Sequence, residues 1–172
     1  MNADTAAYRQ VRIEGTFPKE RLAVALMFFG NGLYTGAWSP KVPSMSAELG
    51  LSPQWVGYLL LAFGLGSITI MPIAGSRISR FGSTKVALAF SLLFLPMMLI
   101  ITLAPNFWLA ACAVFFFGGF TGAMDVAMNA NAVEVEKGMG RAIMSSCHAY
   151  WSFGALAGSA TGGYMIEYFG PF

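Results

Sequence analysis

Asp125 and Asn129 stand four residues apart in GAMDVAMNANAVEVE, which follows directly on the uncharged run FWLAACAVFFFGGFTG. On a helix that spacing turns a carboxylate and an amide to the same side. Placing an ionised carboxylate in such apolar surroundings costs about 2.5 to 3.5 kcal/mol on insertion scales. Two kinds of chemistry offset this. The carboxylate either bonds Asn129 or a neighbouring helix and acts as interhelical glue, or it faces an aqueous cavity and exchanges a proton as that cavity opens and closes. Gly118, Thr121, Asp125, Asn129, Ala132 and Glu136 recur at helical spacing, so small and polar residues share one stripe while Phe115, Phe116, Phe117 and Phe120 fall mostly elsewhere. If the cytoplasmic end of this helix lies near Glu134, a rise of 1.5 Å per residue puts Asp125 about 13 Å inside the membrane.

His148, the single histidine, sits in SSCHAYW, and Ser145, Ser152 and Ser159 lie on its face. Imidazole titrates near neutrality, so His148 either shares a proton relay with Asp125 or is a hydrogen-bonded packing residue. Asn31, Thr35 and Trp38 form a further stripe with Tyr34 beside it. An amide, hydroxyls and aromatic faces suit a sugar or another polar solute. Trp38 equally suits an aromatic belt at the membrane boundary. Cys112 and Cys147 have no second Cys or His at ligand spacing, so neither a disulfide framework, a metal site nor a cofactor is expected.

The elements that hold these residues follow from composition. The chain is 56% hydrophobic and 10% charged, where a soluble domain carries about 25% charged residues. That is a membrane composition, with the lipid bilayer as partner. A net charge of +2 and the lack of basic runs interleaved with aromatics exclude nucleic acid. A hydrocarbon core about 30 Å thick takes roughly 20 helical residues. Five apolar runs approach that length: Leu22 to Trp38, Trp55 to Ala74, Val86 to Leu103, Phe107 to Ala130 and Ala142 to Gly163. The breaks are SPKVPSMSAELGLSP, GSRISRFGSTK, the APN turn and EVEKGMGR. Residues 1–21 read as a polar cytoplasmic tail, and residues 22–172 as a helical transmembrane domain. With alternating spans, Arg9, Arg12, Lys19, Arg21, Arg77, Arg80, Lys85, Lys137 and Arg141 fall on one side and only Lys41 on the other. The positive-inside rule makes that side, and the N-terminus, cytoplasmic. An odd number of spans leads us to expect a longer parent chain.

In GSRISRFGSTK, Gly75, Arg80, Gly82 and Lys85 carry the order Gly, basic, Gly, basic after the second span. This resembles the loop between helices two and three of the major facilitator superfamily, with Ser79 at the family's Asp position and Ser83 and Thr84 at its basic pair. GALAGSATGG places Gly154, Gly158 and Gly162 on one stripe where another helix can approach closely. That spacing is similar to the superfamily's antiporter motif, but Ser159 takes the Pro position. The pair Asp125 and Asn129 resembles the Glu, three residues, Asn arrangement in the fourth helix of the fucose-permease branch, although the first span has no acidic residue. The resemblance covers the chain from Arg21 onward as five helices of a twelve-helix bundle. It implies transport of a small polar solute, sugars included, by proton symport across a bacterial inner membrane, with no enzymatic step. The alternatives are a drug or metabolite exporter of the same superfamily, or a non-transporting assembly or regulatory subunit.

Overall fold

The computed structural model describes residues 18–170. Arg9, Arg12 and the rest of the expected tail lie outside the described residues, except that Lys19, Glu20 and Arg21 already belong to the first helix. Six helical segments follow in order: α1 Lys19–Glu48, α2 Pro53–Phe81, α3 Ser83–Phe94, α4 Met97–Thr102, α5 Phe107–Met139 and α6 Met144–Phe169. The described residues form an all-helical bundle, as expected from the composition.

The helices run past the expected boundaries at their polar ends. SPKVPSMSAE is helical, not a break: α1 continues through Pro40 and Pro43 to Glu48. Its last turns are held by Lys41, whose Nζ lies 3.1 Å from a Glu48 carboxylate oxygen, and by Ser44, which donates to the same oxygen at 2.8 Å. GSRISRF likewise extends α2, so Gly75 is a helical position with open space beside it and makes no turn. The turn is Gly82 alone, whose φ of 85° favours a residue without a Cβ. EVEKGM completes α5, and Gly140 ends it in the left-handed conformation at φ 59°. At the other end Asn106 caps α5, its side-chain oxygen accepting from Leu109 N–H at 3.0 Å.

The expected third span is two segments meeting at Leu95 and Pro96. Proline has no N–H and its ring crowds the preceding turn, so the helical ladder is interrupted there. By length and composition α2, the stretch Ser83–Thr102 and α5 can each cross a membrane. α1 and α6 have 30 and 26 residues and so have the length, with Asn31, Lys41, His148 and Ser152 diluting their apolar character. α5, at 33 residues, exceeds what a bilayer core needs and carries Glu134, Glu136 and Lys137 in its overhang.

Packing pairs α1 with α6 and α2 with α5, while α3 and α4 lie against α5. α5 and α6, neighbours in sequence, barely touch. The two main pairs are close backbone contacts. A Cβ at Gly154 or Gly158 would overlap the carbonyl of Phe29 or Leu33 on α1, and one at Gly66 or Gly118 would overlap a main-chain carbonyl of Phe115 or Phe63 across the α2–α5 contact. Gly162, next along the stripe, is less tightly enclosed, by Ala37 and Pro40. Between the pairs the core is aromatic: Phe94 and Phe117 stack at 5.4 Å, and Trp38 and Phe63 at 5.2 Å.

Candidate functional site

Asp125 is half-buried near the middle of α5, and His148 on α6 is close enough to act on its carboxylate electrostatically. The Asn129 side chain donates to the main-chain carbonyl of Asp125 at 2.9 Å and also lies against the carboxylate. His148 is exposed along one side and sets its ring edge-on to Phe28 of α1, with centroids 5.4 Å apart. Ser152, one turn on, donates to the His148 carbonyl at 3.0 Å and is exposed. Asp125 with Asn129 on α5, and His148 with Ser152 on α6, thus stand on the two helices of a thinly packed boundary. A carboxylate, an imidazole, an amide and a hydroxyl there can exchange protons and hydrogen-bond a polar molecule.

Three of the residues expected to line a solute cavity also make contacts within the bundle. Asn31 is 2% exposed and both ends of its amide are in use: Oδ1 accepts from Trp151 Nε1 at 2.9 Å, and Nδ2 donates to Met124 Sδ at 3.3 Å. The Tyr34 hydroxyl donates to the Leu95 carbonyl and accepts from Met98 N–H at 2.9 Å, so it pairs the main chain on both sides of Pro96. Trp38 is buried with its face against Phe63 and Phe117, which removes it both from a boundary belt and from stacking on a solute. Thr35 Oγ1 and Trp38 Nε1 are buried without a hydrogen-bond partner among the described residues. A cleft of about 200 Å³ lies between α1 and α3, lined by Leu26, Met27, Asn31, Tyr34, Ser91 and Phe94 among others. Asp125 does not line it. It opens at the exposed Leu26 and Leu95.

A second polar group gathers where the α2–α3 turn meets the lower part of α5. Ser83 is buried, donates to a Glu134 carboxylate oxygen at 2.8 Å and accepts from Asn131 Nδ2 at 3.1 Å. The same amide reaches Thr84 Oγ1 at 2.9 Å. The two residues that replace the superfamily's basic pair are thus neutral partners of α5. Arg80 and Lys85 flank this group and are exposed, and the Arg80 guanidinium lies 5.6 Å from the Phe81 ring centre. Glu136, one turn further on, accepts from the main-chain N–H groups of Ile143 and Met144 at 2.8 and 3.1 Å and so caps α6. Arg21 and Glu136 both act electrostatically on Cys147, which brings the start of α1 to this end as well. At the opposite end Trp55 packs on Phe107 at 4.6 Å, joining the starts of α2 and α5. Basic residues therefore gather at one end of the bundle and aromatic ones at the other. Lys41, the exception, is paired with Glu48.

Sequence reasoning missed Trp151, Met124, Asn131 and the capping role of Glu136. Trp151 stands three residues from His148, but its partner Asn31 is 120 residues away and no local spacing announces the bond. The closely paired helices, three of them long and apolar enough to cross a membrane, agree with comparisons to known proteins. The chain is 42% identical over 146 residues to an uncharacterized transporter of Sinorhizobium fredii, covering 85% of this chain and 38% of that protein. It is 38% identical to an uncharacterized MFS-type transporter of Yersinia pestis, over 81% of this chain and 36% of that one. It is 35% identical to the membrane protein MosC of Rhizobium meliloti, over 94% of this chain and 41% of that protein. The chain thus spans well under half the length of these relatives, and no solved structure matches it. The family model described as Major Facilitator Superfamily matches residues 22–172. The chain belongs to the major facilitator superfamily, as part of an integral, multi-pass membrane protein.

Proposed function

We propose that this chain is the N-terminal part of a proton-coupled transporter of the fucose-permease-like branch, moving a small polar solute such as a sugar across a bacterial inner membrane. The N-terminus is cytoplasmic, and the remainder of the transporter completes a solute site between two halves that rock about the membrane midplane. The observation that carries this reading is Asp125, a half-buried carboxylate on α5, a helix long and apolar enough to cross a membrane, with His148 near it where α5 and α6 scarcely pack. Interhelical glue needs a tight contact around the bonded pair, and α5 and α6 lack one. Asp125 carries the proton, His148 shares it, and Asn129 and Ser152 offer hydrogen bonds to the solute. Thr35 is the remaining α1 candidate for the solute site, since its hydroxyl is not engaged by the described residues.

The test uses the full-length transporter in proteoliposomes under an imposed pH gradient, screened first with sugars. Asp125→Asn keeps the shape and hydrogen bonding of the side chain and removes its titration. Proton-driven accumulation should collapse while expression and solute binding survive. Wild-type accumulation by this variant ends the coupling reading, and failure of the wild type to move any solute supports an assembly or regulatory subunit instead.

A further inference from the structure

Asp125 and His148 sit on α5 and α6, which follow each other in sequence and barely touch. Direct packing does not set their spacing. At the basic end the Glu136 carboxylate ties α5 to the first N–H groups of α6, but that joint is three turns from Asp125. At the level of the pair, the connection runs through α1. Asn31 accepts from Trp151, which lies three residues beyond His148 on α6, and donates to Met124, the residue before Asp125 on α5. The amide has one workable orientation. An indole N–H only donates, so the oxygen must meet Trp151 and the NH2 must meet the sulfur. One helical turn before Asn31 on α1, the fully buried Phe28 holds the His148 ring by its edge. α1 thus grips both partners of the pair at one height.

We infer that Asn31 is a positioning residue that fixes the separation of Asp125 and His148 by pinning α5 and α6 to α1. This rests on the proton-coupling reading of that pair. From α6 the charged or titratable group facing Asp125 is His148. α2 carries its charges at Arg77 and Arg80, at the basic end, α3 carries Lys85 there, and Arg21 of α1 faces Cys147 and Glu136. A change in the pair's behaviour after altering Asn31 therefore reports on its geometry and not on a displaced neighbouring charge.

The experiment uses the full-length transporter carrying Trp151→Phe, which removes only the indole donor, Asn31→Leu, or both. Spin labels at the exposed positions 116 on α5 and 153 on α6 report the distance between the two helices. Both single variants should shift or broaden that distance, and both should displace the pH midpoint of uptake in the same direction. The double variant should go no further than Asn31→Leu alone, because that substitution already removes the bond that Trp151→Phe deletes, together with the bond to Met124. An unchanged distance with an unchanged pH profile in Trp151→Phe overturns the inference. If Trp151→Phe does not fold, Met124→Leu decides: it keeps the side-chain volume and loses the sulfur acceptor, so it should give a smaller displacement of both readouts, and no displacement refutes the pin. Asp125→Asn separates the two ideas. A wild-type pH profile in that variant removes proton coupling at the pair, while the distance measurement still judges the pin.

Discussion

Replacing Tyr34 by Phe removes one oxygen and leaves the ring in place against Phe94, 4.4 Å away between centres. That oxygen pairs two main-chain groups at once, the Leu95 carbonyl and the Met98 N–H. Each buried polar group left unsatisfied costs about 1 to 3 kcal/mol, so two place Tyr34→Phe at about 2 to 6 kcal/mol. Leu95 is exposed, and inside a hydrocarbon core no water takes over a lost main-chain bond. Relaxation around the break brings the figure toward the lower end, about 2 kcal/mol. Unfolding of the purified full-length protein in mixed micelles measures it. The same substitution in a Pro96→Ala background supplies the internal control. Alanine restores the missing N–H and lets α3 and α4 join, so that the Leu95 carbonyl and Met98 N–H find partners within the helix. The cost of losing the hydroxyl should then fall to about 0.5 kcal/mol, with the difference appearing as a coupling energy in the double-mutant cycle. Equal costs in the two backgrounds would refute the claim that Tyr34 serves the break.

Gly158→Leu drives a side chain into the Leu33 carbonyl and should destabilise the α1–α6 pair by about 1 to 3 kcal/mol or more. Gly163→Ala, where a Cβ meets open space, should hold or raise the melting temperature in detergent, since alanine gains up to about 1 kcal/mol of helix propensity, and so isolates the clash at Gly158. Glu136→Ala removes the acceptor shared by Ile143 and Met144 and should cost about 0.5 to 2 kcal/mol, as loss of a helix cap does. Faster hydrogen exchange confined to those two amides checks it. Reporter fusions after Arg80 and after Lys137 should read cytoplasmic and one after Asn106 should read outside. The reverse pattern inverts the topology.

The number and order of the spans were legible because apolar runs bounded by Pro, Gly and charge have few readings at this length, although the third is two helical segments. Their ends were not, since charge marks where a helix leaves lipid and not where it stops. Arg77 and Arg80 are good helix formers, and α2 keeps winding through them until Gly82 allows a turn. The same reasoning explains EVEKGM, where Glu and Lys extend α5 beyond the membrane. Pro96 interrupts the third span, and the bundle tolerates it by supplying Tyr34 to the main chain on either side.

The polar residues of the candidate site divide along a physical line that a single sequence does not draw. Asn31, Thr35 and Asp125 all looked alike as polar groups in apolar helices, each needing a partner or water. What separates them is whether a second helix supplies that partner. Asn31 finds two, at sequence separations of 93 and 120 residues, and is thereby consumed by the fold. Tyr34 finds two on a helix 61 and 64 residues away. Asp125 leans on its own helix, through Asn129, and meets His148 where α5 and α6 part. Of the two uses for a costly intramembrane carboxylate, glue requires neighbours that close around it, and the bundle closes instead around Asn31 and Tyr34. The carboxylate is left on the loosely packed side, where the proposed titration and solute contact would offset what burial costs.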